Sequence, residues 1–256
     1  MTFISRILDA FSGGSEPAGP DGYRAYAIGD IHGRIDLLEE LLAKIEADIG
    51  SRPPTENFIV FLGDLIDRGP ESAAVVERLR NYSVRDATTV FLSGNHEEVM
   101  LRVLGGEKGG LLADWLKFGG AECVASYGLD PAALANMGEA AALRAIRAKV
   151  PKAHVEFLSS FADTFRFGDY LFVHAGIRPG LGIAEQAQAD LRWIREPFLE
   201  DDKDHGFVVV HGHTISSKVE ERANRIGLDT GAYRTGILTA LAVEGTERRF
   251  FDTAPD

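Results

Sequence analysis

The chain has 256 residues, 45% of them hydrophobic and 26% charged, with a formal net charge of −12 and one cysteine. That length can bury a substantial core, and the acidic balance argues against nucleic acid or an anionic membrane as the main partner. A single thiol excludes an intrachain disulfide and fits a reducing, cytoplasmic compartment, and no stretch approaches the ~18 apolar residues of a membrane span.

The N-terminus carries Phe3, Ile4, Ile7, Leu8 and Phe11 at helical spacing, without the basic start and continuous apolar run of a cleaved signal peptide. Residues 12–22, rich in Gly, Pro and Ser, have the composition of a flexible linker, so residues 1–22 are expected to form an arm outside the fold. A strand–loop–helix unit then repeats. Tyr23–Ile28 reads as a strand, and Leu38, Leu41, Leu42, Ile45 and Ile49 follow as an apolar helical stripe. Asn57–Leu62 is a second strand, with Pro70 placed to open a helix whose Val75, Leu79 and Tyr82 share a face. Thr88–Leu92 is a third, followed by a helix bearing Val99, Met100 and Val103. Such alternation predicts βαβ units and a largely parallel sheet.

Residues 105–163 read as Gly-punctuated helices without strands, a helical insert in which Cys123 is a small buried apolar residue. Beyond it, Thr164–Phe167 and Tyr170–Val173 flank Gly168-Asp169 as a hairpin, and Phe207–Val210, Arg225–Leu228 and Ile237–Val243 read as further strands. The expectation is a single α/β domain over residues 23–256 with a two-layer sheet core.

The chemistry sits just past the strands. Gly29-Asp30-Ile31-His32-Gly33, Gly63-Asp64-Leu65-Ile66-Asp67-Arg68-Gly69, Gly94-Asn95-His96-Glu97, His174-Ala175-Gly176 and His211-Gly212-His213 each end an apolar run with metal-ligand residue types. Ligands of open α/β sheets gather outside the carboxyl ends of strands. There Asp30 and His32 can face one ion, Asp64 can bridge two, and Asn95, His174 and His213 can complete a second site. Oxygen and nitrogen ligands without thiolate favour Mn²⁺, Fe or Zn²⁺. Two such ions would clamp phosphoryl oxygens and acidify a shared water. The surrounding glycines suit sharp turns with positive φ and close approach.

Taken together, the motifs GDxHG, GDxxDRG, GNHE, HAG and a late Gly-His resemble the phosphoprotein phosphatases of the metallophosphoesterase superfamily, and Leu228-Asp229-Thr230-Gly231-Ala232 resembles a feature of their bacterial and phage branch. The resemblance implies an α/β calcineurin-like metallophosphoesterase fold, a two-layer β-sandwich core flanked by helices. It implies two divalent ions, Mn²⁺ foremost. Asp30 and His32 would hold the first, Asp64 would bridge, and Asn95, His174 and His213 would hold the second. His211 then falls outside the ligand set. Ile215 stands where the wider superfamily often has another histidine, which fits the phosphatase branch. His96 would be the general acid, oriented by Asp67. Arg68 and Arg195, the latter in a W-x-R segment, would bind phosphate, with Arg192 expected on the same helical face as Arg195. Two cations and two arginines would make the mouth positive on an acidic body.

The implied substrate is a phosphoserine or phosphothreonine protein or peptide, with phosphotyrosine a further candidate. A dinucleoside polyphosphate hydrolase resembling the symmetrical diadenosine tetraphosphate enzymes is the alternative. His32 and the Asp67-Arg68 pair speak against it, because those enzymes tend to carry Gln at the first position and lack the Asp at the second. A non-catalytic docking module would be expected to have lost Asp67, His96 or a ligand, and all are present.

Overall fold

The computed structural model describes residues 16–255. In chain order, β1 (Tyr23–Ile28), α1 (Ile35–Ser51), β2 (Glu56–Phe61), α2 (Ser72–Arg80), β3 (Ala87–Phe91) and α3 (Asn95–Gly105) form the first half. The helical insert follows as α4 (Leu111–Trp115), a π-turn (Leu116–Gly120), α5 (Ala121–Ser126), α6 (Pro131–Ala135), α7 (Glu139–Lys149) and α8 (Lys152–Leu158). The second half holds β4 (Thr164–Phe167), β5 (Tyr170–Val173), α9 (Gln188–Trp193), β6 (Val208–His211), β7 (Glu220–Glu221), β8 (Arg225–Gly227), α10 (Ala232–Thr235), β9 (Thr239–Glu244) and β10 (Glu247–Asp252).

Two five-stranded sheets result, in the orders β10-β9-β1-β2-β3 and β4-β5-β6-β8-β7. The period-2 alternation of side chains explains how they stack. Ala25, Ala27, Phe58 and Val60 point between the sheets to meet Phe165, Phe167, Phe172 and Val210. Their neighbours Tyr26, Ile28, Ile59 and Phe61 point outward into a core built with α1, α2 and α3. On the far side, Leu171, Val173 and Val209 pack against Leu191, Ile194 and Phe198. The architecture is therefore a β-sandwich flanked by helices, as expected. The insert shares the first outer core through Trp115, Cys123, Val124 and Ile146.

Four expectations change. Both sheets are mixed: β1, β2 and β3 are parallel, but β9 pairs antiparallel with β1 and β10 antiparallel with β9, and β4 and β7 run antiparallel to their neighbours at the edges of the second sheet. Pro70 lies in a turn and α2 begins at Ser72. β10 was not anticipated, because it is an edge strand whose Arg248 and Arg249 are spent on ion pairs with Glu221 and Asp48 rather than on an apolar face. The linker composition is also misleading over residues 17–19. Ala18 N–H donates to Asp169 Oδ2 (3.0 Å), Gly19 N–H donates to Gly245 O (2.8 Å) and the Tyr170 hydroxyl donates to Pro17 O (3.1 Å). The segment thus laces the β4–β5 turn to the β9–β10 turn. The apolar arm at residues 3–11 lies outside the described residues, and no described helix is long and apolar enough to cross a membrane.

Arg24, opposite Glu244 in the β1–β9 register, is fully buried and donates to both carboxylate oxygens of Glu244 at 2.8 Å. The Arg24 hydrogen bond holds the Glu244 carboxyl below its usual range. A depressed carboxylate pKa contributes stability that is present above the unfolded value and lost as pH falls through the folded one. Glu244→Gln should therefore lower unfolding free energy by roughly 2–3 kcal/mol at neutral pH, with the gap to wild type closing on acidification below the ordinary carboxylate range. Denaturant midpoints at several pH values would show it; a gap that widens in acid would contradict the pairing.

Candidate metal centre

The loops after β1, β2, β3, β5, β6 and β8 converge at one end of the sandwich. Their backbones are unusual. His32, Asp64, Asp67, Arg68 and His213 all have φ between 47° and 72°, and only Asp86 among other described non-glycine residues is left-handed. Such conformations cost ~1–3 kcal/mol each and persist only where surroundings over-determine them. Gly33 and Gly63 do have positive φ, as their motifs suggest. Gly29, Gly69 and Gly94 do not, and Gly94 has φ −86°. There the requirement is space, since a Cβ would collide with Asp64 Oδ1.

Glu97 supplies the over-determination. It is fully buried, and its carboxylate accepts from the backbone N–H groups of Asp64 (2.9 Å), Leu65 (2.8 Å) and Gly94 (3.0 Å). One side chain thereby welds the second loop to the third. Burial and the nearby Asp64 push its carboxyl up to about 7, against the pull of His96 and the donated amides.

Within this frame two groups of ligand atoms form, His32–Asp64–His96 and Asp64–His174–His213, each with its atoms within 4.8 Å of one another. Asp64 is common to both. His174 Nδ1 sits 2.9 Å from Leu62 O, so that nitrogen carries the proton. Its Nε2 lone pair then faces Asn95 Oδ1 at 3.0 Å and Asp64 Oδ2 at 3.4 Å. His32 repeats the pattern, with Nδ1 donating to Ile66 O (2.8 Å) and Nε2 turned to Asp64 Oδ2 at 3.7 Å. Burial lowers the pKa of both imidazoles and brings His213 down to about 3, so these rings are neutral. Lone pairs aimed at lone pairs repel unless a cation lies between them, and His213 Nε2 is buried without a partner. The donor set therefore fits divalent ions held by oxygen and nitrogen.

Asp30 is placed beside these groups. Both its oxygens accept from the His213 N–H, at 3.2 and 3.0 Å. Burial, Asp229 and Asp64 together push its carboxyl well above the usual range, and burial brings Asp229 up to about 6. Buried carboxylates that repel one another in this way are a further reason for positive charge to belong here. Asp229 donates nothing to the ligand groups but caps its own loop, accepting from Gly231 N–H at 2.9 Å.

His96 joins the first group through Nε2, 3.9 Å from Asp64 Oδ2. Its Nδ1 lies 2.6 Å from Asp67 Oδ2, and its backbone N–H donates to Asp64 Oδ1 at 3.0 Å. Burial opposes protonation of this ring, but the charges of Asp64 and Asp67 prevail and raise its pKa. The same Asp67 oxygen accepts from Trp115 Nε1 at 2.9 Å, a contact from the insert that no motif announced. The insert also accepts the Arg68 N–H at Gly119 O (3.0 Å). Arg68 reaches His32 Nε2 (2.9 Å) and lies over the Tyr233 ring, which in turn packs edge-on against His32. Tyr233 directly follows the Asp229–Ala232 segment, the only sequence signal for it.

Arg195, Arg68, Asn95, His96 and His213 line one cavity of about 400 Å³. Arg192 does not share a face with Arg195. α9 ends at Trp193, Ile194 is extended, and Arg192 is engaged by Asp163 (2.8 Å) and Glu98 (3.4 Å). His211 stands apart from both ligand groups, packed edge-on against Phe198, and burial brings it down to about 4. Cys123 is buried, and burial raises its thiol pKa well above the usual value, leaving an inert thiol.

Two measurements follow. Metal-stripped protein titrated with Mn²⁺ in a calorimeter should bind two ions per chain and gain ~2.7 kcal/mol of stability per site at a hundredfold excess over Kd. His174→Ala should bind one, and a wild-type stoichiometry of one would refute the pair of sites. Glu97→Gln, which places an amide NH₂ against backbone donors, should cost roughly 2–4 kcal/mol and weaken Mn²⁺ binding through Asp64; unchanged metal affinity would show that the weld does not set the ligand geometry.

Comparison with known proteins agrees with this geometry. Residues 23–235 match the calcineurin-like phosphoesterase family. The chain is 26% identical over 235 residues to the asymmetrical bis(5'-nucleosyl)-tetraphosphatase PrpE of Bacillus thuringiensis, covering 84% of this chain and 88% of that protein. It is 40% identical over 84 residues to PrpE of Halalkalibacterium halodurans, a match spanning 32% of this chain and 34% of that protein. A crystal structure of a candidate diadenosine tetraphosphatase superposes with a TM-score of 0.64 at 19% identity, over 94% of this chain and all of that one. With its motif loops inside the matched span, the chain belongs to the calcineurin-like phosphoesterase family.

Proposed function

We propose that this chain hydrolyses dinucleoside polyphosphates, cutting a phosphoanhydride bond at a two-metal centre. The observation that carries the reading is the match to asymmetrical tetraphosphatases over most of both chains. The contrast drawn from His32 and Asp67-Arg68 concerns the symmetrical enzymes, and so does not weigh against relatives of the asymmetrical kind. A cavity of about 400 Å³ that Arg68, His96 and Arg195 help to line is also of the size that small ligands occupy.

In this reading Asp30, His32 and Asp64 hold one cation, and Asp64, Asn95, His174 and His213 hold the other. Bound divalent cations supply charge to the phosphoryl oxygens and lower the pKa of a water. Arg68 and Arg195 fix the phosphate chain by charge-assisted hydrogen bonds. His96 Nε2 offers a proton to the leaving oxygen while Asp67 holds Nδ1, and the Trp115 indole holds Asp67.

One observation favours a second reading, hydrolysis of phosphoserine or phosphothreonine in proteins. An imidazole held at 2.6 Å by a buried carboxylate is a strong device for protonating a leaving group. A serine alkoxide needs that proton, whereas a nucleotide phosphate, with a second pKa of about 6, leaves without it. The two readings therefore separate in one experiment. Mn²⁺-loaded protein should turn over diadenosine tetraphosphate with a higher kcat/KM than a phosphoserine peptide, releasing unequal nucleotides. His96→Asn should cost less than about tenfold on the dinucleotide but ~10²–10⁴ on the peptide. Preference for the peptide would replace the nucleotide reading with the phosphoprotein one.

A further inference from the structure

The cavity at the metal centre has two unlike kinds of lining. Arg68, His96 and Arg195 offer cationic and polar groups to it. Val99, Leu111, Trp115, Phe118 and Trp193 line it with apolar surface, and Asp114 lines it too. Of these, Phe118 and Trp193 are 63% and 40% exposed, far more than a core aromatic. Exposed rings beside a charged pocket are not explained by folding, since neither is buried in the cores that hold the sheets.

Each ring sits on a segment that contacts or carries a cavity arginine. Phe118 sits in the π-turn kink at φ −102°, ψ 22°, next to Gly119, whose carbonyl accepts the Arg68 N–H at 3.0 Å. Gly119 itself has φ 121°, and a Cβ there would come 2.7 Å from Arg68 Cγ, so the turn and Arg68 are in close contact. Trp193 ends α9, two residues before Arg195. Its indole Nε1 donates to Glu98 Oε2 at 3.3 Å, and Arg192 braces the same carboxylate. The Phe118 turn is thus packed against Arg68, and the Trp193 indole is held two residues from Arg195. Aromatic side chains with a defined orientation lose little entropy on stacking a planar ligand.

Resting on the nucleotide reading above, we infer that Phe118 and Trp193 form a nucleobase-binding subsite, stacking the base of the nucleotide whose phosphates lie between Arg68 and Arg195. Asp114 is the only carboxylate among the described residues that line the cavity, and it directly precedes Trp115. A carboxylate facing the 6-position of a purine accepts from an exocyclic amine and repels a carbonyl oxygen, so in that pose it favours adenine over hypoxanthine. A phosphoserine side chain has no ring to stack on Phe118 or Trp193. The aromatic wall therefore serves as a specificity determinant, separate from the groups that act on phosphorus.

Base–aromatic stacking removed by alanine substitution translates to roughly 5- to 100-fold in binding. Diadenosine tetraphosphate and inorganic tripolyphosphate, which has no base, should be compared as substrates of the Mn²⁺-loaded protein. Phe118→Ala and Trp193→Ala should raise KM for the dinucleotide by that factor, with kcat little altered. The ratio of kcat/KM between the two substrates should fall in step. Phe118→Tyr and Trp193→Phe keep a ring and should hold the ratio within about threefold of wild type. Asp114→Ala should erase the preference for diadenosine over diinosine tetraphosphate. A double alanine variant with an unchanged ratio, or an equal loss on both substrates, would overturn the base site while leaving the nucleotide reading intact. A wild-type protein that hydrolyses tripolyphosphate or phosphopeptide but no dinucleotide would overturn the nucleotide reading, and the base site with it.

Discussion

The buried carboxylate of Glu97, accepting three backbone N–H groups from Asp64, Leu65 and Gly94, is the constraint on which the site depends. Together with the Ile31 and His32 N–H groups, which donate to the Asp64 carbonyl, it holds Asp64 at φ 49°. Hydrogen bonds to a charged group are worth ~1.5–3 kcal/mol each, enough to offset the ~1–3 kcal/mol of a left-handed residue. The consequence propagates by direct contact. Asp64, once fixed, accepts the His96 N–H, and His96 in turn bonds Asp67. Glu97 and His96 are adjacent on α3, so the weld and the acid share one rigid turn. Asn95 and His96 are thereby held on a helix start, and the loop residues are held against it.

Charge gives the site its second constraint. Asp30, Asp64 and Asp229 are all at most 2% exposed, a costly concentration of carboxylates in a chain of net charge −12. The imidazoles of His32, His174 and His213 are neutral through burial and offer lone pairs instead of compensation. Positive charge comes to the cavity from Arg68 and Arg195, and Asp64 and Asp67 favour protonation of His96. Such an arrangement is unfavourable for folding and favourable for binding cations. The buried carboxylates are therefore the groups through which bound cations would make the mouth of an acidic chain positive.

Much of this was legible in the chain because metal ligands sit at strand ends, where an apolar run stops abruptly at Asp, His or Asn. β1, β4 and β5 have the bounds their apolar runs predict, and five of the six expected ligands converge, with Asp30 immediately beside them. What was illegible rests on single long-range contacts. Trp115 Nε1 reaches Asp67 across 48 residues, and Gly119 O reaches Arg68, with no periodicity to betray either. Arg192 and Arg195 could not be told apart by spacing, because the end of α9 between them is set by tertiary packing of Leu191 and Ile194. β10 escaped notice because an edge strand can spend its side chains on ion pairs instead of a core. The ordering of residues 17–19 depends on turns more than 150 residues away, which local composition cannot register.

The insert touches both parts of the site. Through Trp115 and Gly119 it braces the Asp67-Arg68 segment, and through Leu111, Asp114 and Phe118 it walls the cavity. A single ten-residue stretch, from Leu111 to Gly120, therefore contacts the segment that holds His96 and also lines the cavity. Its π-turn is what allows this, because it breaks the helix between Trp115, which points into the core, and Phe118, which points out. A regular helix would carry both side chains through one continuous rotation of about 100° per residue and could not also bring the Gly119 carbonyl against Arg68. The wall of the cavity and the placement of the His96–Asp67 pair are consequently coupled through one backbone irregularity. Exchanging this stretch between members of the fold should alter the chemistry along with the selectivity, whereas changing only the exposed ring of Phe118 leaves the brace in place.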